Sequence, residues 1–131
     1  MTIRFSMSAH KPDLDTIREQ PPRAGCTIIY WEDLEDLKNA LGTGVTVETR
    51  YDPAGDCNLN GFLRFLVANK YMIKRQVKEE KSIRIEVSRD EMKSLASLNR
   101  PLMFGLCAPS LRFLAELGLD LAFYSHHTND V

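Results

Sequence analysis

The segment Ile83-Arg84-Ile85-Glu86-Val87-Ser88-Arg89-Asp90-Glu91 decides how this chain folds. Its first five residues alternate apolar with charged, the two-residue period of a strand with one face buried and one wet. Ser88 with Glu91 three positions later forms a capping box, in which both side chains satisfy backbone N–H groups at a helix start. Met92, Leu95 and Ala96 then continue at helical spacing. A strand passes into a helix across one residue, and the same change of period recurs on both sides.

Upstream, Ile3, Phe5 and Met7 alternate with Arg4, Ser6 and Ser8 in a first strand over 2–9. Pro12 suits a first helical turn, Leu14 and Ile17 carry a helix over about 13–20, and Pro21-Pro22 ends it. Thr27-Ile28-Ile29-Tyr30-Trp31 reads as a second strand. Leu34, Leu37 and Leu41 predict a helix with Gly42 as its left-handed cap, and Glu32 and Asp33 oppose its positive end. Val45 and Val47 predict a third strand toward Tyr51, and Asp52–Asp56 a turn. Asn58 is placed to cap a helix bearing Leu59, Phe62, Leu63, Leu66 and Val67. Tyr71, Ile73, Arg75 and Val77 alternate, so that helix is expected to give way to a strand near Lys70.

Downstream, the apolar run Leu102–Cys107 reads as a strand buried on both faces. Ser110 is expected to cap a helix with Leu111, Leu114 and Leu117, stopped by Gly118. Leu119, Leu121 and Phe123 form a last strand. The fold class is α+β: a single domain over 1–131, with a mixed or antiparallel sheet of about six strands and short interleaved helices.

At 131 residues the chain can bury about two-thirds of its unfolded surface, so it needs neither metal nor disulfide to fold. Apolar residues at 44% and charged residues at 27% are those of a globular protein rather than a disordered one. Nothing approaches the roughly 20 apolar residues of a membrane helix, and the opening Met1–Ser6 lacks the pattern of a secretory signal. Cys26, Cys57 and Cys107 are odd in number and far apart, as suits a reducing compartment, so a cytoplasmic protein is expected.

The net charge of -1 hides an asymmetry. Residues 31–56 hold seven acids (Glu32, Asp33, Glu35, Asp36, Glu48, Asp52, Asp56) against Lys38 and Arg50, a local -5. Residues 57–112 hold eleven bases against five acids, a local +6. Such a dipolar chain can steer a charged partner.

Motifs for catalysis are sparse. No G-x-S-x-G, H-E-x-x-H or C-x-x-C occurs. Cys57, just ahead of a helix, would have its thiol activated by the helix N-terminus, but it needs a base that only His126 or His127 could bring by folding. His126-His127 would point to opposite strand faces and so make a poor metal pair, and His10 reads as a lone surface residue. Asp52–Asp56 lacks the spacing of a calcium loop, and Gly42-Thr43-Gly44 lacks the lysine of a phosphate loop. Lys70, Lys74, Arg75, Lys78 and Lys81 around Tyr71 suggest a nucleic-acid surface. Glu79 and Glu80 interrupt them, and a solvated face is the simpler account. Neither metal nor cofactor is expected.

The C-terminal stretch Ser110-Leu111-Arg112-Phe113-Leu114-Ala115-Glu116-Leu117-Gly118-Leu119-Asp120-Leu121-Ala122-Phe123-Tyr124 resembles the closing helix and strand of bacterial polymorphic-toxin and contact-dependent growth inhibition immunity proteins. The opening Ile3–Ala9 followed by Pro12-Asp13-Leu14-Asp15 is loosely similar to their start. The likeness covers about a quarter of the chain. It implies a cytoplasmic, non-enzymatic antidote that binds a cognate toxin, a monomer or weak homodimer with neither membrane nor nucleic acid as partner. Many toxins of such systems are basic nucleases, and an acidic surface would steer association with them. The expected partner surface is Glu32, Asp33, Glu35, Asp36, Asp52 and Asp56, with Trp31 or Tyr51 as aromatic anchor. The alternatives are a small enzyme on Cys57 with a histidine and a nucleic-acid module on residues 70–81.

Overall fold

The structure, a computed structural model, describes residues 1–22, 25–50, 60–99 and 108–125. Five strands form one sheet: β1 (Thr2–Ser8), β2 (Cys26–Tyr30), β3 (Gly44–Arg50), β4 (Lys81–Val87) and β5 (Leu121–Ser125), in the order β2-β3-β1-β4-β5. Six helices accompany them among the described residues: α1 (Lys11–Arg18), α2 (Glu35–Leu41), α3 (Asn60–Ala68), α4 (Lys70–Arg75), α5 (Arg89–Ser97) and α6 (Ala108–Glu116).

β1 lies at the centre, antiparallel to both β3 and β4, with Arg4 facing Glu48 on one side and Arg84 on the other. β2 is antiparallel to β3, and β5 parallel to β4. The first four strands and their helices run β1-α1-β2-α2-β3-α3-α4-β4; with α2 set aside as an insertion between β2 and β3, the strand order β2-β3-β1-β4 is that of a ferredoxin-like, split βαβ arrangement. α5 and α6 then lead to β5 as an added parallel strand. The sheet is therefore mixed, and its α+β class is as the sequence predicts.

The alternation of the strands sorts the two faces. Ile3, Phe5 and Met7, Val45 and Val47, and Ile83, Ile85 and Val87 all point to one side and are buried. Against them pack Leu14 and Ile17 of α1, Phe62, Phe65 and Leu66 of α3, Met72 and Ile73 of α4, and Leu114 with Leu117 at the end of α6. The rings of Phe5 and Phe65 meet tilted at 6.3 Å, bridging sheet and helix layer. At the joint between α3 and α4 the buried Asn69 amide exchanges two hydrogen bonds with Gln20, at 2.7 and 3.1 Å, and donates a third to the Phe65 carbonyl. A buried amide thus satisfied fixes the bend between the helices without the cost of an orphan polar group.

The sheet has five strands among the described residues, compatible with the expected number of about six. Several expectations are corrected. Tyr71–Val77 is not a strand: Met72 and Ile73, adjacent in sequence, are both buried, which a helix permits and an alternating strand does not. Ser110 is not a cap but the third residue of α6. Trp31 leaves β2 and opens a 3-10 turn, Trp31–Asp33. The predicted strand Leu102–Cys107 lies outside the described residues. The capping box of α5 is formed as predicted, with Ser88 Oγ accepting from the Glu91 N–H and the Glu91 carboxylate from the Ser88 N–H.

Candidate functional site

With all four core helices on one side, the opposite sheet face is left to Thr2, Arg4, Ser6 and Ser8 of β1, Thr46 and Glu48 of β3, and Ser82, Arg84 and Glu86 of β4. A solvated face is normal for an antiparallel sheet. This one is ordered by cross-strand pairs. Arg4 donates from Nε to Glu48 at 2.5 Å and from its terminal nitrogen to Glu86, so one guanidinium sits between two carboxylates on the flanking strands. Those bonds, led by the one to Glu48 and opposed by burial, raise the Arg4 pKa above its usual value. Ser6 and Thr46 hydroxyls pair at 3.0 Å. The Arg84 guanidinium lies 5.2 Å over the Tyr124 ring.

Trp31 closes one end of this face. It is 5% exposed, its ring lies over Gly44, and its indole N–H donates to Thr46 Oγ1 at 2.9 Å. Behind it, the Arg18 guanidinium bonds Asp33 at 2.9 Å and Glu32 at 3.3 Å, and stacks 3.7 Å over the Tyr30 ring. Burial pushes the Tyr30 phenol up, against the opposing pull of the Arg18 charge.

α2 follows and contributes no buried residue. Its leucines, placed by their spacing to face a core, do not: Leu34 is 49% and Leu41 53% exposed, while Leu37 is half-buried. Glu35 and Asp36 are exposed beside them. Leu41 and Trp31 form one bank of a hollow of about 490 Å³. Its floor is Ser6, Ser8 and Ser82, and Glu79 and Glu80 stand in the opposite bank, with Arg4, Arg84 and Glu86 at its edge.

The predicted partner residues thus fall into three groups. Glu35 and Asp36 are displayed together; Glu32 and Asp33 share Arg18; Trp31 is buried as a foundation of the face. Tyr51, Asp52 and Asp56 lie outside the described residues, as do Cys57, Cys107, His126 and His127. Cys26 is half-buried on β2 against the core, and His10 is exposed ahead of α1. The basic run is dispersed. Arg75 pairs with Asp13 at 3.1 Å and Lys78 with Asp120 at 2.9 Å, and Lys81 turns into the helix layer. Lys70 sits 5.0 Å over the ring of Tyr71, which is 72% exposed.

Sequence reasoning missed the Glu48–Arg4–Glu86 bracket. The polar period of β1 and β4 marked those residues as outward-facing, but only strand register brings three of them together. Among the described residues there is no group of three His, Cys, Asp or Glu side chains placed to hold a metal, and no helix long and apolar enough to cross a membrane. No protein-family model, no curated protein and no solved structure matches this chain.

Proposed function

We propose that this protein acts without chemistry of its own, as a cytoplasmic immunity protein that binds a cognate bacterial toxin domain and covers its working surface. The observation that carries this reading is α2. A helix with no fully buried residue that, with Leu34 at its N-cap, displays Leu34 and Leu41 beside Glu35 and Asp36 has the make-up of an interface: an apolar centre with a charged rim. Its acids favour a basic partner such as a nuclease and would steer its approach. The pairing of Arg75 with Asp13 and of Lys78 with Asp120, and the turn of Lys81 toward the helix layer, lend support, because a phosphate surface needs its cations free and together.

The test is binding to the protein encoded beside this gene. Leu41→Asp is expected to weaken the complex at least tenfold, about 1.4 kcal/mol or more for loss of an apolar anchor. Glu35→Lys with Asp36→Lys is expected to slow association and flatten its salt dependence. A complex whose affinity and association rate ignore both changes would remove α2 from the interface.

A further inference from the structure

We infer that the trough on the open face of the sheet, between Trp31/Leu41 and Glu79/Glu80, is the seat for a single arginine or lysine side chain of the partner protein. The inference rests on the inhibitor reading and names the chemistry by which its partner is held. Three observations converge on a cation.

Small serines line the trough between Trp31 with Leu41 on one side and the two glutamates on the other. At about 490 Å³ the hollow admits an extended side chain together with water. One bank, Trp31 with Leu41, is apolar and suits a methylene stem, whose apolar length packs while its charged head stays polar.

The charges lining the trough are three acids and three bases. Arg4 is held between Glu48 and Glu86. The Lys81 ammonium points away, into the helix layer, bonding the carbonyls of Ile73 and Leu117. Arg84 lies over Tyr124. Glu79 and Glu80 have no ion pair among the described residues, and both are exposed. Counting Glu48, which shares Arg4, four acids meet three bases, a net charge of -1, and the Glu79 and Glu80 carboxylates on the 3-10 turn Lys78–Glu80 are the acids outside the Arg4 bracket.

The trough also adjoins the surface already assigned to the partner, because Leu41 belongs to both. A protein resting on α2 can reach the trough without leaving it.

The probe is a blocked Gly-Arg-Arg-Gly peptide at low salt, against the same peptide with glutamine for arginine, followed by amide and indole shifts in NMR. Shifts centred on the Trp31 indole, Ser6 and Ser82, seen with the arginine peptide only, are expected. Glu79→Gln with Glu80→Gln should weaken binding about fivefold, as loss of two exposed ion pairs implies. Ser82→Leu, which fills the floor and leaves both glutamates in place, should block it as well. Equal shifts with the glutamine peptide, shifts confined to α2, or indifference to both variants would overturn the inference. If a toxin is bound through α2 but its affinity ignores the Glu79/Glu80 variant, the trough assignment fails alone. If the peptide seats in the trough while the neighbouring protein does not bind, the inhibitor reading fails and the trough stands.

Discussion

Gly44 is where a single residue governs the face. The ring of Trp31 lies where a Cβ on Gly44 would be, and the Met7 carbonyl crowds the same point at 2.6 Å, so no side chain fits without moving the indole. Gly44→Val is expected to lift Trp31 from its seat and to cost about 1–3 kcal/mol, the usual penalty for overpacking. Because Trp31 is the sole tryptophan, its fluorescence reports the event directly: emission should move to the red as the urea midpoint falls. An unchanged spectrum would mean that the indole is not held by this contact. The same pair shows why the sequence misleads at this scale. Trp31 after a β-branched run, beside four acids, reads as an exposed anchor. Its burial depends on a glycine 13 positions away and on the Thr46 hydroxyl 15 away, which come beneath the ring only when β2 and β3 pair.

Elements with clear periods were legible from the residues alone. β1, β3 and β4 follow their alternation, and α5 begins at its capping box, because local sterics and burial there demand the same answer. α4 defied its alternation because the helix layer needed Met72 and Ile73 side by side, and tertiary packing outweighs a weak pattern. α2 kept its helical spacing but not the burial that spacing implies, and that gap is the strongest functional signal in the chain. Less visible still is Lys81, which sequence reading counted as a surface base. Its ammonium donates to the Ile73 carbonyl at 3.1 Å and the Leu117 carbonyl at 2.5 Å, so one cation ties the C-terminal ends of α4 and α6. A positive charge suits a helix C-terminus, where the last carbonyls lack partners. Lys81→Met keeps the stem and removes both bonds, and a loss of about 2 kcal/mol is expected, as for hydrogen bonds with a charged partner. Thermal unfolding measures the loss. A variant as stable as the parent would show that water replaces the ammonium at no cost.

The molecule as a whole divides unevenly between its core and its C-terminal addition. β1 is paired on both sides, and most of the buried side chains belong to the four-stranded unit before residue 88. The remainder anchors itself through Leu114, Leu117 and Leu119, while Met92, Leu98, Leu111, Leu121 and Phe123 stay exposed. Segments with few buried apolar contacts open at lower free energy than the global transition. Amide exchange should therefore be fastest, among the strands, in β5, and slowest in β1. The proposed binding surface joins the well-packed β1, β3 and β4 to α2 and the turn at Glu79 and Glu80, which bury no residue of their own. Which charges share that surface was beyond reading from the chain, since Arg4, Glu48 and Glu86 are 38 or more positions apart and meet only through register. The paired strands give a partner a rigid platform, which limits the entropy lost on association. When a partner binds, added exchange protection is expected over 34–50 and 79–86 and none over 108–125. Protection that instead appeared at β5 and α6 would move the interface to the apolar C-terminal addition, and the acidic helix and its trough would then have no part in recognition.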